Sequence, residues 1–320
     1  MALTSAGGDD PVAASPVARL GLGCAPLGNL FAPISDEAAQ ATVHTAWERG
    51  IRFFDTAPQY GHGLSEVRLG RALAGFPRDE FVLASKVGRV LVPAAPGSAR
   101  PPTVFVDIPA FDPVFDFSRD GVLHSLEDSL ARLGVDRLDI VHVHDPDAHE
   151  AAALATAFPT LIELREQGVI GKVGCGMNQA EMLGRFVERV DLDCILLAGR
   201  YTLLDRTGVG LLEQCAARGV EVIAGGVFNS GLLAVPADGA PFEYAAAPPA
   251  LVARAQRLQA VCAEFGVPLP AAALQFVSAH EAISRVLVGA RSADEIEADI
   301  EYASVPIPPA LWPALESAAP

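Results

Sequence analysis

Apolar positions along this chain switch between two periods. Short runs with alternating faces, LGLGCA, IRFFDTA, EFVLASK, LDIVHVH, IGKVGCG, DCILLA, VEVIAGG and SRVLVGA, read as strands. Between them lie helical patterns such as SDEAAQATVHTAWERG, where Ser35 can cap the start and Gly50 can end the element. RDGVLHSLEDSLARLG and AAALATAFPTLIELREQG repeat the scheme, each closing on glycine. Strands in strict alternation with helices predict a parallel sheet, and eight of them close naturally into a (β/α)8 TIM barrel. A doubly wound open sheet is the alternative. The reading assigns residues 1–16 to a flexible tail and 17–320 to one barrel domain.

Two connections break the rhythm. After ASKVGR the chain runs through VLVPAAPGSARPPTVFVDIPAFDPVFDFS before the next helix, roughly thirty residues where a few would suffice. Phe105, Phe111, Phe115 and Phe117 in that stretch predict a lid rather than a solvated linker. A second long segment, FNSGLLAVPADGAPFEYAAAPP, follows the seventh strand. Both leave the end of the barrel at which active sites form.

Composition narrows the classes of function. The formal net charge is −16 and no dense Lys/Arg run occurs, which argues against nucleic acid and anionic membranes as partners. No apolar stretch reaches the ~18 residues of a membrane span. The opening MALTSAGGDDPVAASP lacks the basic and apolar regions of a secretory signal. The cysteines (Cys24, Cys175, Cys194, Cys215, Cys262) are odd in number and never spaced CxxC, as expected of reduced thiols in a cytoplasmic protein.

Candidate chemistry gathers at strand ends. Side chains two apart on a strand share a face, so Asp55 in FFDTA, Lys86 in VLASK and His144 in DIVHVH can meet at the barrel mouth. Tyr60, in the turn-rich DTAPQYGHG, adds a phenol at the same rim. A structural ion pair between Asp55 and Lys86 is the plainer reading. Metal binding by the crowded DIVHVHDPDAHE is disfavoured. His142 lies one layer below His144 and reads as a packed interior histidine, while Asp147 looks like a helix N-cap. GLGCAPLG is no dinucleotide fingerprint, because Pro26 stands where the third glycine belongs. Glu127 and Asp128 read as a solvated helix face.

Taken in order, Asp55 in FFDTAPQYG, Tyr60, Lys86 in ASKVG and His144 in DIVHVHDP resemble the catalytic tetrad of the aldo-keto reductases. The resemblance runs from about residue 20 to 300 and implies a (β/α)8 barrel binding NAD(P) in an extended pose. KVGRVLVP, HSLEDSLARLGVDRLDIVHVHDPD, GCGMNQAEML and AGRYTLLD are similar to the family's aldose 1-dehydrogenase branch, which oxidises the anomeric carbon of a sugar to a lactone. The resemblance further implies cofactor contacts from Cys24, Asp55, Met177 and Asn178, with Asn178 holding the nicotinamide amide. Phe228, Asn229 and Gly231 would lie along the pyrophosphate, and Arg291, Ser292 and Glu295 at the adenosine end. Ala198 and Gly225 replace a glutamine and a stacking aromatic common in the family, and Gly289 and Glu295 replace a phosphate-clamping lysine and arginine. The carboxylate of Glu295 favours NAD and leaves NADP open. A small sugar or alcohol is the expected partner, homo-oligomerisation is compatible with the sequence, and no metal is expected. Two alternatives remain: a dehydrogenase or reductase of another small alcohol or aldehyde such as pyridoxal, and a cofactor-sensing binding subunit.

Overall fold

The computed structural model describes residues 16–95, 97, 102–243 and 245–318. Its frame is a ring of parallel strands: β1 (Leu20–Gly23), β2 (Phe53–Asp55), β3 (Val82–Val87), β4 (Leu138–His144), β5 (Ile170–Met177), β6 (Cys194–Ala198), β7 (Glu221–Gly225) and β8 (Ile283–Val288). Each lies beside its neighbours in sequence, and β1 pairs with β8 through Leu20–Val286, Gly21–Leu287 and Leu22–Val288. That last pairing closes the barrel and overturns the open-sheet alternative.

The strands are buried on both faces, as a barrel wrapped by helices requires. Phe53, Ala84, Ile140, Cys194, Leu196, Ile223 and Leu287 fill the interior. Their odd-even partners, such as Phe54, Leu83 and Val141, pack outward against the helices. Capping follows the sequence: the Ser35 hydroxyl accepts the Ala38 N–H at the start of helix Asp36–Glu48. Ser118 does the same for Gly121 in helix Arg119–Leu133, which ends on left-handed Gly134. The next helix departs from regularity, with a π turn at Ala153–Ala157 before Phe158–Glu166. Pro159 explains it: proline has no N–H and its ring would strike the carbonyl four residues back, so the chain widens by one residue as it passes.

The long segment after β3 is an antiparallel hairpin, Arg89–Pro93 against Phe111–Phe115. It also carries a stretch stitched to the loop after β1. Leu30 and Phe105 form a bridge, Phe31 N–H reaches Val104 O at 2.9 Å, and Val106 N–H reaches Asn29 O at 3.1 Å. The four phenylalanines divide. Phe105 and Phe117 are buried, whereas Phe111 and Phe115 remain 40% and 45% exposed. The segment after β7 forms a tight turn at Asn229–Gly231 and a short hairpin, Pro241–Phe242 with Ala245–Ala246. It covers a second apolar cluster that includes Leu232, Leu233, Leu258, Leu311 and Leu315. The tail read over 1–16 falls outside the described residues except Pro16, which opens a short turn at Pro16–Arg19. Among the described residues no single helix is long and apolar enough to cross a membrane.

Candidate active site

Asp55 ends β2, Lys86 is the penultimate residue of β3 and His144 ends β4, so alternation turns all three into the barrel mouth. Lys86 Nζ donates to Asp55 Oδ2 at 2.7 Å, to Thr56 O at 2.8 Å and to Tyr60 Oη at 3.1 Å. An ammonium has three N–H donors, and each has a partner here. Tyr60 comes from the loop after β2, which is pinned by a glycine contact. A Cβ on Gly28 would stand 2.6 Å from the Tyr60 carbonyl carbon, and one on Gly61 would stand 2.4 Å from Gly28 O. Only glycines let the two loops approach this closely. The Tyr60 ring then lies edge-on to His144, centroids 5.9 Å apart, and beside Phe105 at 6.2 Å.

Lys86 and Asp55 are each 2% exposed, so neither is tolerable without the other. Burial pushes the Asp55 carboxyl upward, and the Lys86 ammonium opposes that rise. His144 is driven well below the usual histidine range by burial first, then by Arg89 and Lys86. Its imidazole is therefore neutral and can offer an N–H to a reacting oxygen.

His142 is the packed interior histidine expected of it. It is fully buried, burial holds its pKa at about 3, and neither ring nitrogen has a partner among the described residues. Gly174 makes room, since a Cβ there would stand 2.3 Å from His142 Nδ1. No group of three His, Cys, Asp or Glu side chains among the described residues is arranged to hold a metal ion. Asp147 is not the expected N-cap. The short helix Glu150–Ala152 is capped at His149, and Asp147 instead accepts from the Gln179 amide across the rim. Asp128 lies by Arg132 and Glu127 is exposed, as a solvated face requires.

Around the tetrad opens a cavity of about 390 Å³, lined by Tyr60, Lys86 and His144 together with Gln59, Arg89, Phe105, Asp145, Asn178 and Leu196. Two of these were not foreseen as a pair: Arg89 Nη2 lies 3.0 Å from Asp145 Oδ2, and the same oxygen is 3.4 Å from His144 Nε2. Met177 and Asn178 border the cavity, with Arg200 Nε donating to Asn178 O at 2.6 Å. Cys24 does not: it is fully buried with its thiol toward Leu22 O, and Ala25 lines the wall instead.

The remaining expected contacts stand beyond the cavity on the loops after β7 and β8. Asn229, Ser230 and Gly231 are consecutive left-handed residues with φ of 48°, 61° and 104°. The buried Asn229 Oδ1 has no partner among the described residues. Phe228 precedes this turn and packs against both apolar clusters. Arg291, Ser292 and Glu295 interlock at a helix start. Glu295 accepts the Arg291 backbone N–H at 2.8 Å and its guanidinium at 2.8 Å, while Ser292 Oγ accepts the Glu295 N–H at 3.2 Å.

Comparison with known proteins agrees with this architecture. Residues 19–320 match the model of the aldo/keto reductase family. A D-threo-aldose 1-dehydrogenase from Pseudomonas sp is 42% identical over 94% of both chains. A pyridoxal 4-dehydrogenase from Microbacterium luteolum is 41% identical over 94% of both. Among solved structures, an aldo-keto reductase from Bacillus halodurans in its holo form superposes with a TM-score of 0.74. It has 24% identity, over 94% of this chain and 92% of that one, and speaks to the fold alone. With the match spanning nearly the whole chain, the protein belongs to the aldo/keto reductase family.

Proposed function

We propose that this oxidoreductase is a nicotinamide-dependent aldose 1-dehydrogenase, oxidising the anomeric C1 hydroxyl of a neutral sugar to the lactone. The observation carrying the reading is the hydrogen bond from a buried, carboxylate-anchored Lys86 to the Tyr60 hydroxyl at 3.1 Å, beside His144 in the cavity. A nicotinamide, when bound, supplies the acceptor for the hydride leaving C1. The chain's own groups handle the proton. A phenol has a reference pKa of about 10, so ionising it at neutral pH costs roughly 4 kcal/mol. An ammonium some ~3–4 Å away returns a similar amount at an effective dielectric of ~20. Tyr60 can thus accept the C1 hydroxyl proton, Lys86 favours its ionised form, Asp55 keeps Lys86 charged and aimed, and His144 steadies the reacting oxygen.

The residues lining the cavity suit a dinucleotide. Ala198 and Gly225 put little bulk at the ends of their strands: a Cβ on Gly225 would only just touch Leu196 Cδ2, at 3.4 Å, and Ala198 Cβ, at 4.0 Å, which supports a flat ring lying there. Asn178 and Met177 would border its carboxamide. Non-glycine residues in left-handed backbone cost about 1–3 kcal/mol each and cluster where ligands are held, which supports the Phe228–Gly231 turn as the pyrophosphate seat. Arg291 is already committed to Glu295, which supports NAD over a cofactor with a 2′-phosphate.

Pyridoxal is the second reading, favoured by the dehydrogenase of that substrate at 41% identity. A cofactor-sensing role without turnover is disfavoured by the intact tetrad. NADH formation with L-fucose, D-arabinose, L-galactose and pyridoxal, measured side by side, separates the readings. Turnover of aldoses is expected; turnover of pyridoxal alone would end the first.

A further inference from the structure

We infer that the Arg89–Asp145 ion pair is the hydroxyl-recognition element of the cavity, taking a vicinal pair of ring hydroxyls of a neutral cyclic polyol while C1 faces Tyr60 and His144. The inference rests on the sugar reading above and names the residues that would choose the substrate. Arg89 and Asp145 line the cavity, with side chains 15% and 32% exposed. Both are held in place. Asp145 has a left-handed φ of 42°, and its N–H is bonded to Gly176 O at 3.0 Å. The Arg89 guanidinium lies 4.7 Å from the Phe115 ring centroid.

The pair leaves hydrogen-bonding capacity unspent. Arg89 Nε is buried without a partner among the described residues, and so is Gln59 Oε1 on the wall of the same cavity. Orphaned buried donors and acceptors are costly. Both atoms are themselves buried although their residues line the cavity, so a hydroxylated ligand meets them as these side chains turn toward it. A sugar ring carries groups that donate and accept at once, and adjacent hydroxyls can bridge a guanidinium N–H and a carboxylate oxygen. The two charges cancel. A sugar phosphate or sugar acid would bring an anion that the pair cannot neutralise, so the wall suits an uncharged polyol. Phe105 supplies an apolar surface at the same cavity for the C–H face of the ring.

The test uses ring polyols that cannot be oxidised at C1: the 1,5-anhydro analogues of L-fucose, L-galactose and D-arabinose. They are titrated into the enzyme–NADH complex and followed by cofactor fluorescence, with cyclohexanol as the ring lacking vicinal hydroxyls. At least one analogue should bind. Arg89→Leu should weaken it by roughly 10–100-fold, the range for lost hydrogen bonds to a charged group. Asp145→Asn, which keeps the shape, should weaken it less, and affinity for NADH should stay unchanged in both. If Arg89→Leu fails to fold, Arg89→Lys with Asp145→Asn carries the comparison. Failure of every anhydro sugar to bind, unchanged affinity in the variants, or equal loss of NADH binding would each overturn the inference. Selective loss of polyol binding in a protein that oxidises no aldose would uphold it and sink the proposed reaction instead.

Discussion

Lys86 divides its three protons among a carboxylate, a backbone carbonyl and a phenol, so each partner has a separable consequence. Tyr60→Phe removes the acceptor for the substrate proton together with one of the three Lys86 hydrogen bonds. Turnover should fall by roughly 10²–10⁴-fold while NADH binding, read by fluorescence, persists; near-normal turnover would remove Tyr60 from the chemistry. His142 makes a different forecast. Its pKa of about 3 lies below the ordinary 6.5, so protons bind the unfolded chain more readily than the folded one. Its contribution is whole above about pH 6.5 and shrinks as pH falls toward 3, the loss reaching about 2 kcal/mol by pH 5. His142→Met should therefore flatten the fall in urea midpoint between pH 6.5 and 4, and an unchanged slope would refute this. Alternation alone brought Asp55, Lys86 and His144 to one face from the sequence. Asp145 was not legible that way. On strict alternation it would point outward after His144, but its left-handed backbone takes it off the pattern and back toward the cavity.

Whole elements place those residues, and their tolerances can be measured. The loops after β1 and β2 touch at Gly28 and Gly61 without space for a Cβ. Gly28→Ala should push the Tyr60 turn away from Lys86 and lower kcat/KM by at least about 10²-fold, since a displacement near 1 Å is worth that much. Circular dichroism should still report a folded barrel, and unchanged kinetics would mean the loop yields elsewhere. The helix start after β8 governs the cofactor's far end on the proposed reading. Glu295→Gln releases the Arg291 guanidinium and should raise the NADP-to-NAD ratio of kcat/KM by about tenfold, one charge-assisted hydrogen bond's worth. No change in the ratio would place cofactor choice elsewhere. The strands and capped helices were legible because each carries its own period and stop signal. The π turn was not, because a lone proline can end, kink or widen a helix. Nor was the hairpin after β3, whose alternation is interrupted by prolines.

At the scale of the molecule, the eight parallel strands follow one another round the ring in chain order, each joined to the next by the crossover that parallel pairing requires. The net charge of −16 is self-repelling, and screening by salt weakens repulsion beyond about 10 Å at 0.1 M. The melting temperature should therefore rise as sodium chloride increases from about 10 to 150 mM; a fall would mean that ion pairs such as Arg119–Glu163 and Arg165–Asp193 outweigh the repulsion.

The stitching of Leu30 to Phe105 and of Phe31 to Val104 carries a consequence for how such a barrel can change its diet. The wall above the phenol is woven from two distant parts of the chain, so neither thread can be exchanged alone without unpicking the other. A chimera that imports only one of these loops from the pyridoxal-oxidising relative should lose activity on every substrate. Importing both together should move selectivity as a single inherited unit.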